Sequence, residues 1–225
     1  MIDVVSIGEP LIEFNQTRPR QPQYLQGFGG DSSNMAIAAA RQGARVAYFT
    51  RLGNDEFGRM FRELWRKEKV DATHVATDPA AHTGIYFVSH GPKGHVFSYL
   101  RAGSAASRMT DVPLDLLRSA RVVHASGISL AVSESACDAV LAAFEAAETV
   151  SFDSNLRLRL WPIERARRMI GRAAALADYF FPSAEDAEAL SGLKDPDAQV
   201  DWAHGLGAKN VFLKLGKDGV VVSDG

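Results

Sequence analysis

Beyond residue 120 the chain alternates short β-rich runs with longer helical ones, and this alternation narrows the possible folds more than any other feature. Strands are expected at 122–126, 150–153, 179–181, 210–215 and 220–223, with helices at 133–148, 163–177, 184–190 and 197–206. Within 133–148, Cys137, Val140, Leu141 and Phe144 fall at i, i+3, i+4 and i+7, so Cys137 should face the core. Strands joined through helices pair in parallel, with right-handed crossovers and helices on both faces. The expected class is therefore α/β, a mainly parallel central sheet flanked by helices.

The first hundred or so residues begin in the same way and then depart from it. A strand at 4–8, a helix at 29–43, a strand at 45–52 and a helix at 56–69 continue the alternation, the last with Phe57, Met60, Phe61 and Leu64 on one face. Two pairs of β-rich runs do not fit it. The runs 11–15 and 24–28 flank a turn around 17–22, and 83–90 and 95–101 flank Gly91-Pro92-Lys93-Gly94. Both read as hairpins, which leaves a small β element beside the main sheet.

A chain of 225 residues can bury a sizeable core as one large domain or one domain with an appendage. Its net charge of −2 offers no basic patch, so neither nucleic acid nor an anionic membrane is expected as a partner. The apolar run at 4–7 is too short for a signal sequence, no apolar run reaches spanning length, and there is one cysteine. These features point to the cytoplasm. The six histidines show no metal-ligand spacing, and no metal cluster is expected.

The residues with chemistry gather at helix starts and strand ends. In Gly29-Gly30-Asp31-Ser32-Ser33-Asn34, paired glycines admit a close backbone approach and four polar residues favour a helix N-cap, so a polar ligand or a simple capped turn would both suit it. Ala36, Ala39 and Ala40 then give a slim helix face, and Gly43 suits the helix stop. Ligands of open α/β sheets collect beyond the carboxyl ends of strands. Asp153, Ser154 and Asn155 with Arg157 and Arg159, then Ser183, Glu185 and Asp186, then Lys214 and Gly216 hold such places. A turn cap for Asp153 and solvated arginines are the plainer reading, preferred for Arg159. Neither the Gly-x-Gly-x-x-Gly fingerprint nor a P-loop is present.

Gly29-Gly30-Asp31-Ser32-Ser33-Asn34, followed by Arg51-Leu52-Gly53-Asn54-Asp55-Glu56-Phe57-Gly58, resembles the first signature of the ribokinase-like (PfkB) sugar kinases. Gly84-Ile85-Tyr86, Tyr99-Leu100-Arg101-Ala102-Gly103-Ser104-Ala105-Ala106 and Phe152-Asp153-Ser154-Asn155-Leu156-Arg157 are similar to the 2-keto-3-deoxygluconate kinase branch. The resemblance implies one ribokinase-like α/β domain over 1–225, with a β-lid from about 11–28 and 83–101. It also implies phosphoryl transfer from ATP, with Mg²⁺, to a hydroxyl of a keto-deoxy sugar acid. On that analogy Gly30, Asp31 and Asn34 hold sugar hydroxyls, Tyr86 and Tyr99 line the lid side, and Arg101 and Arg157 grip the carboxylate. Ser183, Lys214, Gly216 and Gly219 fall on the ATP side, and Asp186 supports the metal indirectly.

Two departures from the family pattern bear on activity. Ser183-Ala184-Glu185-Asp186 stands where the family usually has Asn-x-x-Glu. The Gly-Ala-Gly-Asp signature, which carries the aspartate base and the anion hole, occurs nowhere in the 225 residues, so the catalytic aspartate is expected beyond Gly225 and the chain alone is expected to be an inactive, incomplete copy. A PfkB kinase of a neutral sugar such as ribose or fructose, or of a nucleoside, is the alternative. A non-catalytic sugar-binding protein is the third. Apolar residues on the lid, Ile12, Phe14, Tyr24, Leu25, Ile85, Phe87, Val88 and Phe97, suggest a homodimer through it, alone or within a larger assembly.

Overall fold

The computed structural model describes residues 1–92, 94–110 and 112–225, so Lys93 of the expected Gly91-Pro92-Lys93-Gly94 turn lies outside the described residues. The chain divides into two compact units, Met1–Ile7 with Thr110–Gly225, and Gly8–Met109. The first unit opens with strand β1 (Ile2–Ile7).

In the Gly8–Met109 unit, β2 (Leu11–Gln16) and β3 (Tyr24–Gly29) pair antiparallel. Helix α1 (Asp31–Arg41) follows, then β4 (Val46–Phe49), β5 (Arg51–Gly53), α2 (Glu56–Lys67), β6 (Val70–Asp71), β7 (Ala76–Asp78), β8 (Ile85–Gly91) and β9 (Gly94–Leu100). The expected hairpins both form, and parallel pairing of β2 with β8, Ile12 opposite Ile85, joins them into one four-stranded sheet ordered β3-β2-β8-β9. On one face Phe14 stacks on Phe87 at 5.2 Å and meets Phe57 edge-on at 6.0 Å.

The single strand expected at 45–52 is two. β4 pairs with β6 and β5 with β7, while the Thr50 carbonyl between them accepts from Ala76 N at 3.0 Å. The run is uniformly β-forming, but its pairing partner changes at Thr50, and no local propensity encodes that change. Helix α2 is amphipathic with Phe61 and Trp65 fully buried, capped by Asp55, acidic at its start and basic at its end. Trp65 stacks at a tilt on Tyr48, 4.7 Å between centroids, and donates through Nε1 to Ser33 Oγ at 3.0 Å.

The other unit continues with α3 (Leu114–Ser119), β10 (Ala120–Ser126), α4 (Gly127–Ala131), α5 (Glu134–Ala146), β11 (Val150–Asp153) and α6 (Ile163–Ala175). It ends with β12 (Tyr179–Phe181), α7 (Ala184–Ser191), α8 (Pro196–Gly205), β13 (Asn210–Lys214) and β14 (Val220–Ser223). Its strands lie in the order β14-β13-β12-β11-β10-β1, all parallel to their neighbours except the β13–β14 pair. Residues Cys137, Val140, Leu141 and Phe144 are buried as expected, and Phe144, Phe152 and Phe180 form a ring column with 5.9 and 5.7 Å steps. No helix among the described residues is long and apolar enough to cross a membrane.

Candidate functional site

The Gly8–Met109 unit gathers chemistry around Glu9, the second residue beyond β1. Its side chain is fully buried, Arg101 Nη2 donates to Oε2, and Ser104 Oγ donates to Oε1 at 2.7 Å. Burial pushes the Glu9 carboxyl above the usual carboxylate range, against the pull of Arg101 and Ser104, and Asp31 adds to the rise. Two glycines exist because of this packing. A Cβ on Gly84 would lie 3.0 Å from Glu9 Oε1 and 2.5 Å from a Leu11 methyl, and a Cβ on Gly30, at φ 98°, would lie 2.5 Å from the Glu9 carbonyl oxygen.

Arg101 follows β9 with its side chain 12% exposed and its guanidinium 5.7 Å from the centre of the Tyr99 ring. Tyr99 stacks on its cross-strand neighbour Tyr86 at 5.7 Å. Tyr86 in turn donates its hydroxyl to Glu13, opposite it on β2. Burial first, then Glu13, pushes the Tyr86 phenol up, so it stays a protonated donor. Gly29 is the close approach beneath it, since a Cβ there would lie 2.5 Å from the Tyr86 oxygen.

At the start of α1 the structure differs from expectation. Gly30 itself is the N-cap, and no side chain caps the helix. Asp31 opens the first turn half-buried, Asn34 is exposed, and Ser32 and Ser33 point inward instead. The Ser32 and Tyr48 hydroxyls bond at 2.8 Å. The positive φ of Gly30 excludes the polar candidates from the cap position, and hydrogen bonds with Tyr48 and Trp65 hold both serines in the core.

In the other unit the strand ends carry a second cluster. Lys214 Nζ reaches both oxygens of Asp153, at 2.8 and 2.7 Å. Asp186 Oδ2 accepts from Ser154 Oγ at 2.6 Å and from Leu156 N at 3.0 Å. Ser183 caps α7 by accepting from Asp186 N at 3.0 Å. Arg157 is exposed and donates to the neighbouring Leu156 carbonyl at 2.8 Å. Gly216 and Gly219 hold positive φ in a turn where an added Cβ would meet nothing within 4 Å. Among the described residues no group of three or more His, Cys, Asp or Glu could hold a metal ion.

A family model described as pfkB family carbohydrate kinase matches residues 1–225. The chain belongs to the pfkB family of carbohydrate kinases. It is 40% identical over 233 residues to a 2-dehydro-3-deoxygluconokinase of Thermoproteus tenax, covering 99% of this chain and 72% of that protein. It is 36% identical over 231 residues to fructokinase-2 of Solanum habrochaites, covering 96% of this chain and 70% of that one. Among solved structures, the PfkB protein from Polaromonas sp. JS666 superposes with a TM-score of 0.92 at 33% identity, covering 99% of this chain and 79% of that one. The ribokinase-like fold expected from the motifs is thus present in this pfkB chain.

Reading the pfkB signatures from sequence missed Glu9 and Gly127. Glu9 had a usable signal, because Gly8-Glu9-Pro10 stands at the carboxyl end of the first strand, where the other candidates were sought. Gly127 had a weaker one: it opens α4, and a Cβ there would lie 2.0 Å from the Ser154 carbonyl oxygen.

Proposed function

We propose that this pfkB chain serves the ATP-dependent phosphorylation of a keto-deoxy sugar acid of the 2-keto-3-deoxygluconate type in the cytoplasm. The observation that carries the reading is Arg101. A guanidinium has five N–H donors; Nη2 is bonded to Glu9, and no other acceptor is bonded to it among the described residues. A carboxylate can engage such a fork bidentately, whereas a neutral sugar has no comparable need of it. The 40% identity to a 2-dehydro-3-deoxygluconokinase points the same way.

In this reading Gly30, Asp31 and Asn34 take sugar hydroxyls, Tyr86 and Tyr99 form a flat wall, and Arg157 supplies the second cation. On the nucleotide side, the open turn at Gly216 and Gly219 leaves backbone accessible to a large polar ligand, which fits ATP, with Lys214 and the α7 start at Ser183 beside the strand ends. Asp186 would support Mg²⁺ only through intermediaries, because its bonded oxygen already holds Ser154 and Leu156. Bound MgATP supplies the transferred phosphoryl group and neutralises its charge. The four-stranded sheet acts as a lid, and its exposed apolar residues, Val96 and Leu100 among them, join two lids in a homodimer.

A neutral-sugar kinase is the second reading, favoured by Glu9, which offsets the charge of Arg101. Titration calorimetry with 2-keto-3-deoxygluconate and fructose separates the two. Arg101→Ala and Arg157→Ala should each weaken sugar-acid binding by about 1.5–3 kcal/mol and leave ATP binding unchanged. Unaltered sugar-acid affinity in both variants, or tighter binding of fructose by the unmodified chain, would overturn the sugar-acid reading.

A further inference from the structure

We infer that Glu9 is a positioning residue for Arg101, holding the guanidinium by one nitrogen so that the rest of its fork stays available to the carboxylate of a sugar acid. The inference rests on the sugar-acid reading above. Gly84 and the stretch from Arg101 through Ser104 meet at this one carboxylate, while Gly30 packs on the backbone of the Glu9-Pro10 segment that carries it. Both oxygens are bonded, and backbone or small residues close around it, so the carboxylate has one place to be. Arg101, by contrast, is a long and flexible side chain at the end of an exposed strand, and beyond the Tyr99 ring Glu9 is its only described anchor. Without that anchor the guanidinium would sample several rotamers, and a ligand would have to order it on binding.

Net charge cannot supply the selectivity in place of geometry. Glu9 is paired with Arg101, and Asp31 lies close enough to influence Glu9, so the cluster carries no surplus of positive charge for an anion. What distinguishes a carboxylate from a hydroxyl at this point is then the direction of the free N–H groups, and Glu9 with Ser104 sets that direction. Buried ion pairs are weak sources of stability and are better attested as fixing one arrangement.

The test uses the whole chain, with calorimetric binding of 2-keto-3-deoxygluconate and fructose, and ¹⁵N NMR of the Arg101 Nε–H without sugar. Glu9→Ala should weaken sugar-acid binding by about tenfold or more, the factor for a well-placed charged hydrogen bond, while fructose binding changes by less than about threefold, since neutral hydroxyls do not depend on the fork. Glu9→Gln should restore most of the loss, because its amide oxygen can accept from Arg101 and its NH₂ can donate to a Ser104 hydroxyl turned to accept. The Arg101 signal should be ordered in the unmodified chain and in Glu9→Gln, and motionally averaged in Glu9→Ala. Should Glu9→Ala not fold, Ser104→Ala removes the carboxylate's other anchor and should lower sugar-acid affinity selectively to a smaller extent. An Arg101 signal equally ordered in Glu9→Ala would overturn the positioning role whatever the sugar. Equal weakening for both sugars, or tighter sugar-acid binding once the negative charge is gone, would overturn the specificity role. If the unmodified chain does not prefer the acid while Arg101 still loosens in Glu9→Ala, the sugar-acid reading fails and the anchoring stands.

Discussion

Asp55 offers the sharpest test of how the Gly8–Met109 unit is held together. Its Oδ1 accepts from Gly58 N and from Thr83 Oγ1, both at 2.8 Å, and its Oδ2 accepts from Thr83 N at 2.7 Å. One carboxylate therefore caps α2 and ties that cap to the segment leading into β8. Thr83 is 2% exposed and its hydroxyl also accepts from Gly53 N at 3.0 Å, so water cannot easily replace the lost partner. Asp55→Ala removes a cap worth about 0.5–2 kcal/mol. It also leaves the Thr83 N–H and hydroxyl short of an acceptor, at about 1–3 kcal/mol. Because the two effects share one side chain they will not add fully, and a total of about 2–4 kcal/mol is expected. Asp55→Asn keeps the cap but turns an NH₂ toward Thr83, and should fall between.

The same bonds predict a pH dependence. Burial pushes the Asp55 carboxyl up, but the bonds from Thr83 and Gly58 outweigh it and its pKa is lowered. A carboxyl lowered on folding contributes stability above its unfolded pKa, about 3.9, and loses it as pH falls through the folded value. The advantage of the unmodified chain over Asp55→Asn should therefore be full at pH 7 and shrink below about pH 4. Urea unfolding followed by circular dichroism should show the Asp55→Ala midpoint lower by about 1 M, with amide exchange at Gly58 and Thr83 accelerated. A midpoint within about 0.2 M of the unmodified chain, or a gap to Asn that widens in acid, would refute the reasoning.

Three other outcomes follow from particular contacts. Gly127→Ala sets a methyl 2.0 Å from the Ser154 carbonyl oxygen, a backbone atom with little freedom, so a loss of about 1–3 kcal/mol or more is expected by thermal melting; an unchanged melting temperature would mean that the strand-end loop shifts at no cost. Gly29→Ala crowds the Tyr86 hydroxyl at 2.5 Å and should weaken sugar binding more than stability, because the tyrosine can swing outward; calorimetry showing intact sugar affinity would count against the Tyr86 wall. If the general base and anion hole belong to the Gly-Ala-Gly-Asp signature of the family pattern, a coupled ADP-release assay on the 225-residue chain should find no turnover, since losing a general base costs about 10²–10⁴ and losing anion-hole donors about 10²–10³ in rate. Robust turnover would move the base to a residue within the chain, Asp153 first.

How much of this was legible depended on what each feature needs from the rest of the molecule. Strands at 150–153 and 179–181 could be read to the residue, because strands inside a parallel sheet are short apolar runs bounded by polar ends, and 220–223, antiparallel to β13, because a glycine turn sets off its valine run. Strands β6 and β7, of two and three residues, carry no periodic signal and exist only because β4 and β5 offer them an edge. Helix α4 was hidden for a similar reason: Gly-Ile-Ser-Leu-Ala begins with a glycine demanded by the Ser154 backbone, and one turn is too short to show a face. The tyrosine pair and Arg101 could be found by motif, but their ordering could not. That ordering depends on Glu13 and Glu9, each many dozens of residues away in sequence and brought opposite only by the parallel β2–β8 pairing and the packing behind it.

Positions 183 and 186, which depart from the family pattern, illustrate how a motif can change letters and still hold a loop in place. Ser183 stands where the family pattern has Asn, and both are strong N-cap residues; here the serine hydroxyl accepts from Asp186 N and opens α7. Asp186 stands where the pattern has Glu, one methylene longer. Its shorter carboxylate is bonded to Ser154 and to the Leu156 amide, so it pins the loop that leaves β11 and carries Arg157. A carboxylate committed to that loop couples the α7 start to the segment bearing the second candidate arginine. Gly127 lies under the same loop, and Lys214 holds Asp153 at its beginning, so three independent contacts fix one turn of backbone. Such over-determination, at the carboxyl ends of parallel strands, is what a loop needs when it must present one side chain in one place, and it locates the demand for precision at 153–157 rather than at any single residue of the altered motif.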